Sequence, residues 1–254
     1  VGVVGLGSVG EAAFSTFSKH FNVVAFDVDG RGDWDEIISS DIALVCVPTD
    51  GSPDDTLEMA HIFQTMSRLA SQTYRGLIVI KSTLQPGTMD VILEKHPSLR
   101  VAYVPEFLRE KDAIEWFESP DRLVYSCHST DEAELLAAFS WISGDVPRVP
   151  MTHLEAELGK LAHNAYIATK VTFTVEIERI AKQLGADPSR VMETVWRDRR
   201  VMNPAHLTPN LGGFAGKCVP KDTAALARLD ADPESLLHIL SSRGSDDAYR
   251  ERME

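Results

Sequence analysis

The sequence predicts an α/β protein, a Rossmann-type doubly wound parallel sheet followed by a helical central domain with one long spine helix. Three observations carry this. Short, almost wholly apolar runs recur with helical stretches between them, as in parallel strands covered on both faces. The first of these runs leads straight into glycines at the spacing G-x-G-x-x-G. Beyond residue 150 the strands stop, and residues 152–184 keep a helical apolar period. The expected division is a sheet domain over residues 1–150 and a helical domain over 151–254.

Residues 1–10 read VGVVGLGSVG, an apolar strand and then Gly5, Gly7 and Gly10, with Leu6, Ser8 and Val9 between them. Residues 11–20 continue as a helix. Such a strand, turn and helix start aims backbone N–H groups and the helix dipole at a pyrophosphate. Residues 22–29 (NVVAFDVD) form a second strand ending in Asp27, 17 residues after Gly10. That is close to the spacing of about 20 at which an acid holds the adenosine ribose hydroxyls. A carboxylate there repels a 2′-phosphate, so NAD is expected over NADP. Arg31 is the residue that could reverse the preference.

Residues 41–48 (DIALVCVP) make a third strand, followed by a turn-rich connection and helical periodicity over 56–71. Residues 77–83 (LIVIKST) make a fourth, stopped by Pro86-Gly87, and 101–104 a fifth that runs into PEFLREKDA. A sixth lies at 122–127, then a helix over 130–143 and a short strand at 146–149. Ligands of such sheets sit beyond the carboxyl ends of the strands. Thr49, Thr83 and Glu106 fall there, where plain turn chemistry would also suit them.

In the long helix Thr152 and Glu155 form a capping box, and Gly185 stands where the helix should stop. Leu154, Leu158, Leu161, Ala165, Ala168, Val171, Val175 and Leu184 fall near one stripe. At 1.5 Å per residue the helix is roughly 48 Å long, too long for a small domain to cover, which points to a spine or a dimer contact. Lys160 and Asn164 face the same way. Polar residues at that spacing suit a solvated face as well as a site.

A short helix over 187–196 and a loop over 197–210 lead to residues 212–222, GGFAGKCVPKD. Glycines let the backbone take positive φ and let a ligand approach. Lys217 and Lys221 would favour the thiolate of Cys218, the nucleophilic form. The alternative is a loop cysteine that merely packs. Helical patterns follow over 220–229 and 234–253, the latter with a break at Gly244.

The chain has 254 residues, 44% hydrophobic, with no run able to span a bilayer, and no secretory leader is expected. Cys46, Cys127 and Cys218, widely spaced and odd in number, argue against a disulfide framework and for a reducing cytoplasm. A net charge of −13 disfavours nucleic acid or an anionic membrane as partner. An anionic substrate needs a local basic pocket. No metal is expected.

Taken together, VGLGSVG, the VPT of residues 47–49, STLQPGT at 82–88, PEFLRE at 105–110, EAELGKLAHNAYIATKVTF from Glu155 and GFAGKCVPKD resemble the UDP-glucose/GDP-mannose 6-dehydrogenase family. The resemblance runs to about Leu240. It implies two successive NAD-dependent oxidations of a nucleotide sugar, taking a C6 alcohol to a carboxylate through a cysteine-bound intermediate. It also implies Cys218 as nucleophile, with Lys160 and Asn164 stabilising oxyanions. Asp222 and Glu106 or Glu110 would order or deprotonate the hydrolytic water, and Thr83 would lie near the cofactor and that water. Pro48, Thr49, Thr83, Glu110 and Lys221 join the glycine turn and Asp27 around the cofactor. Phe107, Leu108, Arg109 and Gly213 join Lys160, Asn164 and Cys218 around the substrate. Arg199 and Arg200 sit near where the family supplies an arginine to a neighbouring subunit, and a homodimer through the long helix is implied.

The sequence departs from that family in three places. Only residues 28–40 separate the acid of the second strand from the third strand, where the family carries several tens. Ala215 and Lys217 stand inside the cysteine motif, and the family's C-terminal domain has no counterpart in these 254 residues. Two further readings remain: a single-step β-hydroxyacid-type dehydrogenase, which has no use for Cys218, and a non-catalytic NAD-binding scaffold.

Overall fold

The structure, a computed structural model, describes residues 1–202, 205–207, 214, 218–233 and 235–245, with side chains up to 242. The chain forms two compact units, Val1–Thr49 with Glu58–Lys160, and Asp50–Leu57 with Leu161–Glu254.

The first unit holds the expected sheet. Strands β1 (Gly2–Val4), β2 (Val24–Phe26), β3 (Ile42–Val45), β4 (Leu77–Ile80) and β5 (Arg100–Tyr103) are ordered β2-β1-β3-β4-β5 and all pair in parallel. Alternate side chains of each strand enter opposite cores. Ala43, Val45, Ile78, Ile80, Val101 and Tyr103 join one cluster, whereas Ile42, Leu44, Leu77, Val79 and Ala102 join the other. Both faces are covered, which is why the strands read as unbroken apolar runs. Each fully buried Leu, Ile or Val contributes about 1.5–3 kcal/mol.

Helix α1 (Ser8–Phe17) covers one face. Helices α2 (Trp34–Ile38), α3 (Ala60–Ser71) and α4 (Thr88–Lys95) cover the other. Ile62, Met66 and Leu69 supply the buried stripe of α3.

The next two strands depart from the expected series. A 3₁₀ turn (Glu110–Asp112) and helix α5 (Ala113–Glu118) lead to β6 (Leu123–Tyr125), and helix α6 (Glu132–Ala138) to β7 (Arg148–Pro150). β6 and β7 form a separate two-stranded parallel sheet. Tyr103 and Ser126 exchange N–H···O bonds of 2.8 and 2.9 Å in an antiparallel bridge, so β6 runs against β5 and cannot extend the parallel ladder. Helix α6 is shorter than the 130–143 expected, because Phe139 and Trp141 turn back onto the Phe17 ring.

Helix α7 (His153–Gln183, 31 residues) runs through both units. The expected capping box forms: Thr152 N–H donates to Glu155 and Glu155 N–H to Thr152 Oγ1. Gly185, at φ +73°, closes the far end. The expected stripe is only partly covered. Leu161, Ala165, Ala168, Val171 and Val175 are buried, whereas Leu154, Leu158 and Leu184 are exposed. What packs beside each turn of the helix, and not its period alone, decides which of these side chains is covered.

In the second unit Ala168, Val171 and Val175 pack with Phe214. Helix α8 (Pro188–Trp196) is capped by Asp187, whose side chain accepts from Ser189 N–H. Helices α9 (Cys218–Ala227) and α10 (Leu236–Ser245) complete it. α10 ends at Ser245, one residue after Gly244, and the remainder of the helix expected to 253 lies outside the described residues. No helix among the described residues is long and apolar enough to cross a membrane.

Candidate active site

The glycine turn is built by two close approaches. Gly5 has φ +89°, and a Cβ there would lie 2.8 Å from Cys46 O. A Cβ on Gly10 would lie 1.8 Å from Gly5 O, so the helix start and the turn need both glycines. Gly7, the N-cap of α1, is different: a Cβ there meets nothing within 4 Å. The N-terminus of α1 thus opens on free space, which suits a pyrophosphate. Asp27 faces the same turn, its Oδ2 accepting from Leu6 N–H at 2.6 Å. Arg31 is held by carboxylates, with Nε 2.9 Å from Asp29 and Nη1 3.1 Å from Glu11, and its Nη2 donates to Leu6 O. The residues present fit a dinucleotide.

At the carboxyl end of β3, Pro48 is exposed and Thr49 is buried. At the end of β4, Ser82 donates to Val47 O at 2.6 Å, and Thr83 is half-buried. Beyond β5, Glu106 and Phe107 are half-buried. Glu106 Oε1 accepts from Phe107 N–H at 2.9 Å and Leu108 N–H at 3.1 Å. Its Oε2 lies 2.8 Å from the buried ammonium of Lys81. Arg122 lies 4.1 Å from the Phe107 ring centre and Lys160 5.3 Å. Leu108 is half-buried. Arg109 and Glu110 are exposed, Arg109 lying 5.9 Å from the Trp116 ring.

Lys160 is 7% and Asn164 6% exposed, which removes the solvated-face reading of that pair. Lys160 lies on α7 one turn after Glu157. Glu157 is buried and accepts from the free N–H groups of Gly87 (2.6 Å) and Met89 (2.7 Å), closing the N-terminus of α4. Burial pushes the Glu157 carboxyl above its ordinary range.

In the second unit Asn164 Nδ2 donates to Asp222 Oδ2 at 2.6 Å. Asp222 is fully buried, and its Oδ1 accepts from Lys221 Nζ at 2.7 Å. Gly51 lies against Lys221, where a Cβ would come 3.2 Å from Lys221 Cβ. The segment that leaves β3 beyond Thr49 is therefore seated on the lysine of the cysteine motif. Cys218 is the first residue of α9 and is exposed, so it is not a packing cysteine. Burial pushes Cys46 up to about 12 and Cys127 up to about 11. Gly213, Ala215 and Lys217 lie outside the described residues. Arg199 is exposed, and Arg200 pairs with Asp198 at 2.7 Å.

Three contributors escaped the sequence reading: Lys81, Glu157 and Gly51. A charge closing the apolar run LIVIK was the available clue to the first. The others depend on contacts between segments remote in sequence.

Two domains of the UDP-glucose/GDP-mannose dehydrogenase family match the chain, the NAD-binding domain at residues 30–140 and the central domain at 154–243. The UDP-glucose 6-dehydrogenase of Haloferax volcanii is 32% identical over 86% of this chain and 59% of its own. The GDP-mannose 6-dehydrogenase of Azotobacter vinelandii is 32% identical over 75% of this chain and 47% of its own. The structure of a UDP-glucose dehydrogenase from Pyrobaculum islandicum superposes with a TM-score of 0.82 at 28% identity, covering 99% of this chain and 67% of that one. The chain thus spans about half the length of the curated relatives it matches.

Proposed function

Because the chain belongs to the UDP-glucose/GDP-mannose dehydrogenase family, we propose that it is the catalytic core of an NAD-dependent nucleotide-sugar 6-dehydrogenase that works through Cys218. The observation that carries this reading is the accessible Cys218 on the helix whose next turn holds buried Asp222, itself bonded to Asn164.

NAD, bound at the glycine turn, supplies a hydride acceptor for each of two oxidations. The chain's residues do the rest. After the first oxidation the Cys218 sulfur bonds to the aldehyde carbon, and the carbonyl oxygen becomes a hydroxyl. Lys160 and the second N–H of the Asn164 amide stabilise negative charge on that oxygen. After the second oxidation the carbon is held as a thioester. Water then attacks it, the C–S bond breaks, the thiol returns and a carboxylate leaves. Glu106 or Asp222 accepts the water's proton. Asp27 favours NAD over a 2′-phosphorylated cofactor.

A homodimer through α7 is part of the same proposal. Tyr166, Phe173, Ile180 and Leu184, from 42% to 78% exposed, recur at spacings of 7, 7 and 4 along the helix. An apolar line of this kind marks a partner surface. A cytoplasmic setting suits the three free cysteines.

The test is the yield of NADH with a panel of UDP- and GDP-linked sugars. Two equivalents per sugar are expected from this chain, with Cys218→Ser stalling after the aldehyde. Full two-step turnover by Cys218→Ser would end the cysteine mechanism.

A further inference from the structure

Lys81 is a lysine with almost no access to water, 4% exposed, at the carboxyl end of β4. Burying an ammonium is costly unless it is paired. Its partner is Glu106, at 2.8 Å, and the rings of Phe117 and Phe139 lie 5.0 and 5.6 Å from the same nitrogen. A carboxylate has about four acceptor sites. On Glu106 two are used on Oε1 by the Phe107 and Leu108 N–H groups, while Oε2 is held beside the Lys81 ammonium as an ion pair. Among the described residues no hydrogen bond is donated to Oε2, and the two N–H bonds and the ion pair, from two strand ends, fix the direction of the carboxylate.

We propose that Lys81 is the positioning residue for Glu106: its buried ammonium, beside two aromatic rings, orients the carboxylate so that Oε2 takes the proton of the hydrolytic water. The kinetic part rests on the cysteine mechanism above; the positioning part does not. The small cavity lined by Lys81, Glu106, Phe107, Phe117, Arg122 and Phe139 lets Glu106 swing away once the ammonium is gone.

The test pairs Lys81→Met with Glu106→Gln and their double variant in the full chain. In the infrared arm, the carboxylate stretches of Glu106 are isolated with ¹³C-labelled glutamate as wild type minus Glu106→Gln. They are expected to shift and broaden in Lys81→Met. In the kinetic arm, Lys81→Met is expected to lower turnover by about 10- to 100-fold with KM for NAD unchanged, and to change Glu106→Gln by less than about twofold. Carboxylate bands unmoved by Lys81→Met overturn the proposal. So does a Lys81→Met penalty in the Glu106→Gln background as large as in wild type, which is what a purely structural lysine gives. If the wild-type chain turns over no nucleotide sugar, the cysteine mechanism fails while the infrared arm still decides the role of Lys81. Should Lys81→Met not fold, Lys81→Gln replaces it in both arms.

Discussion

Asn164 on α7 and Asp222 on α9 are 58 residues apart in sequence and joined by a hydrogen bond of 2.6 Å, with both side chains buried. Inside the second unit the Asp222 carboxyl group is bonded by this amide and by the Lys221 side chain. Replacing Asn164 by Ala removes a donor from a buried carboxylate, at a cost of about 1–3 kcal/mol. Urea unfolding of Asn164→Ala should show that loss together with a fall in turnover. A fall in turnover at unchanged stability would mean that the Asp222 bond is dispensable for folding.

The glycine turn separates packing from binding. Gly10→Ala drives a Cβ to 1.8 Å from Gly5 O and should destabilise the chain by about 1–3 kcal/mol or more. Gly7→Ala adds a Cβ that meets nothing within 4 Å, so Tm should barely move while the Kd for NAD rises, because the methyl occupies the approach to the helix start. Calorimetry with and without NAD checks both.

Thiol labelling should follow burial. At pH 8 a thiol near 12, as for Cys46, is ionised in only about one molecule in 10⁴. Brief iodoacetamide treatment followed by peptide mass spectrometry should find Cys218 modified and Cys46 intact. Labelling of Cys46 ahead of Cys218 would contradict the exposures described above.

Glu157 gives a pH dependence whose sign follows from its burial. Its folded pKa is raised, first by desolvation and against the opposing Met89 and Gly87 N–H bonds. Between the ordinary carboxyl value and the raised one the folded state holds the extra proton. Stability from this group is therefore greatest below the unfolded pKa and declines as pH rises through the folded one. The difference in unfolding free energy between wild type and Glu157→Gln should shrink over that window, measured by urea titration at successive pH values. A difference that widens with pH would refute this assignment.

The exposed line on α7 predicts association. Phe173→Glu, at a position 46% exposed, should convert a dimer to a monomer in light scattering without lowering the helical circular dichroism signal.

Much of the first unit was legible because strands buried on both faces cannot hide their composition. LIVI and IALV can be little else once turns bound them, and G-x-G-x-x-G before a helix restricts the backbone strongly. The edges were not. β6 and β7 read like their predecessors, yet the Tyr103–Ser126 bridge takes them out of the parallel ladder, and no local pattern encodes the direction in which a strand returns. The stripe on α7 likewise identified the helix but not which of its leucines are covered, since that depends on what packs beside it.

The order of the first five strands and the glycine turn with its acid are properties of the sequence alone, because they rest on local spacing and residue chemistry, while Cys218, Lys160, Asn164 and Asp222 were singled out by the family resemblance of their motifs. The buried state of Lys160 and Asn164, the pairing of Lys81 with Glu106, and the reach of Glu157 to the start of α4 were decided by tertiary structure. Each is a contact between groups 25 or 70 residues apart or a loss of water access, and burial makes such groups find partners that no single segment supplies.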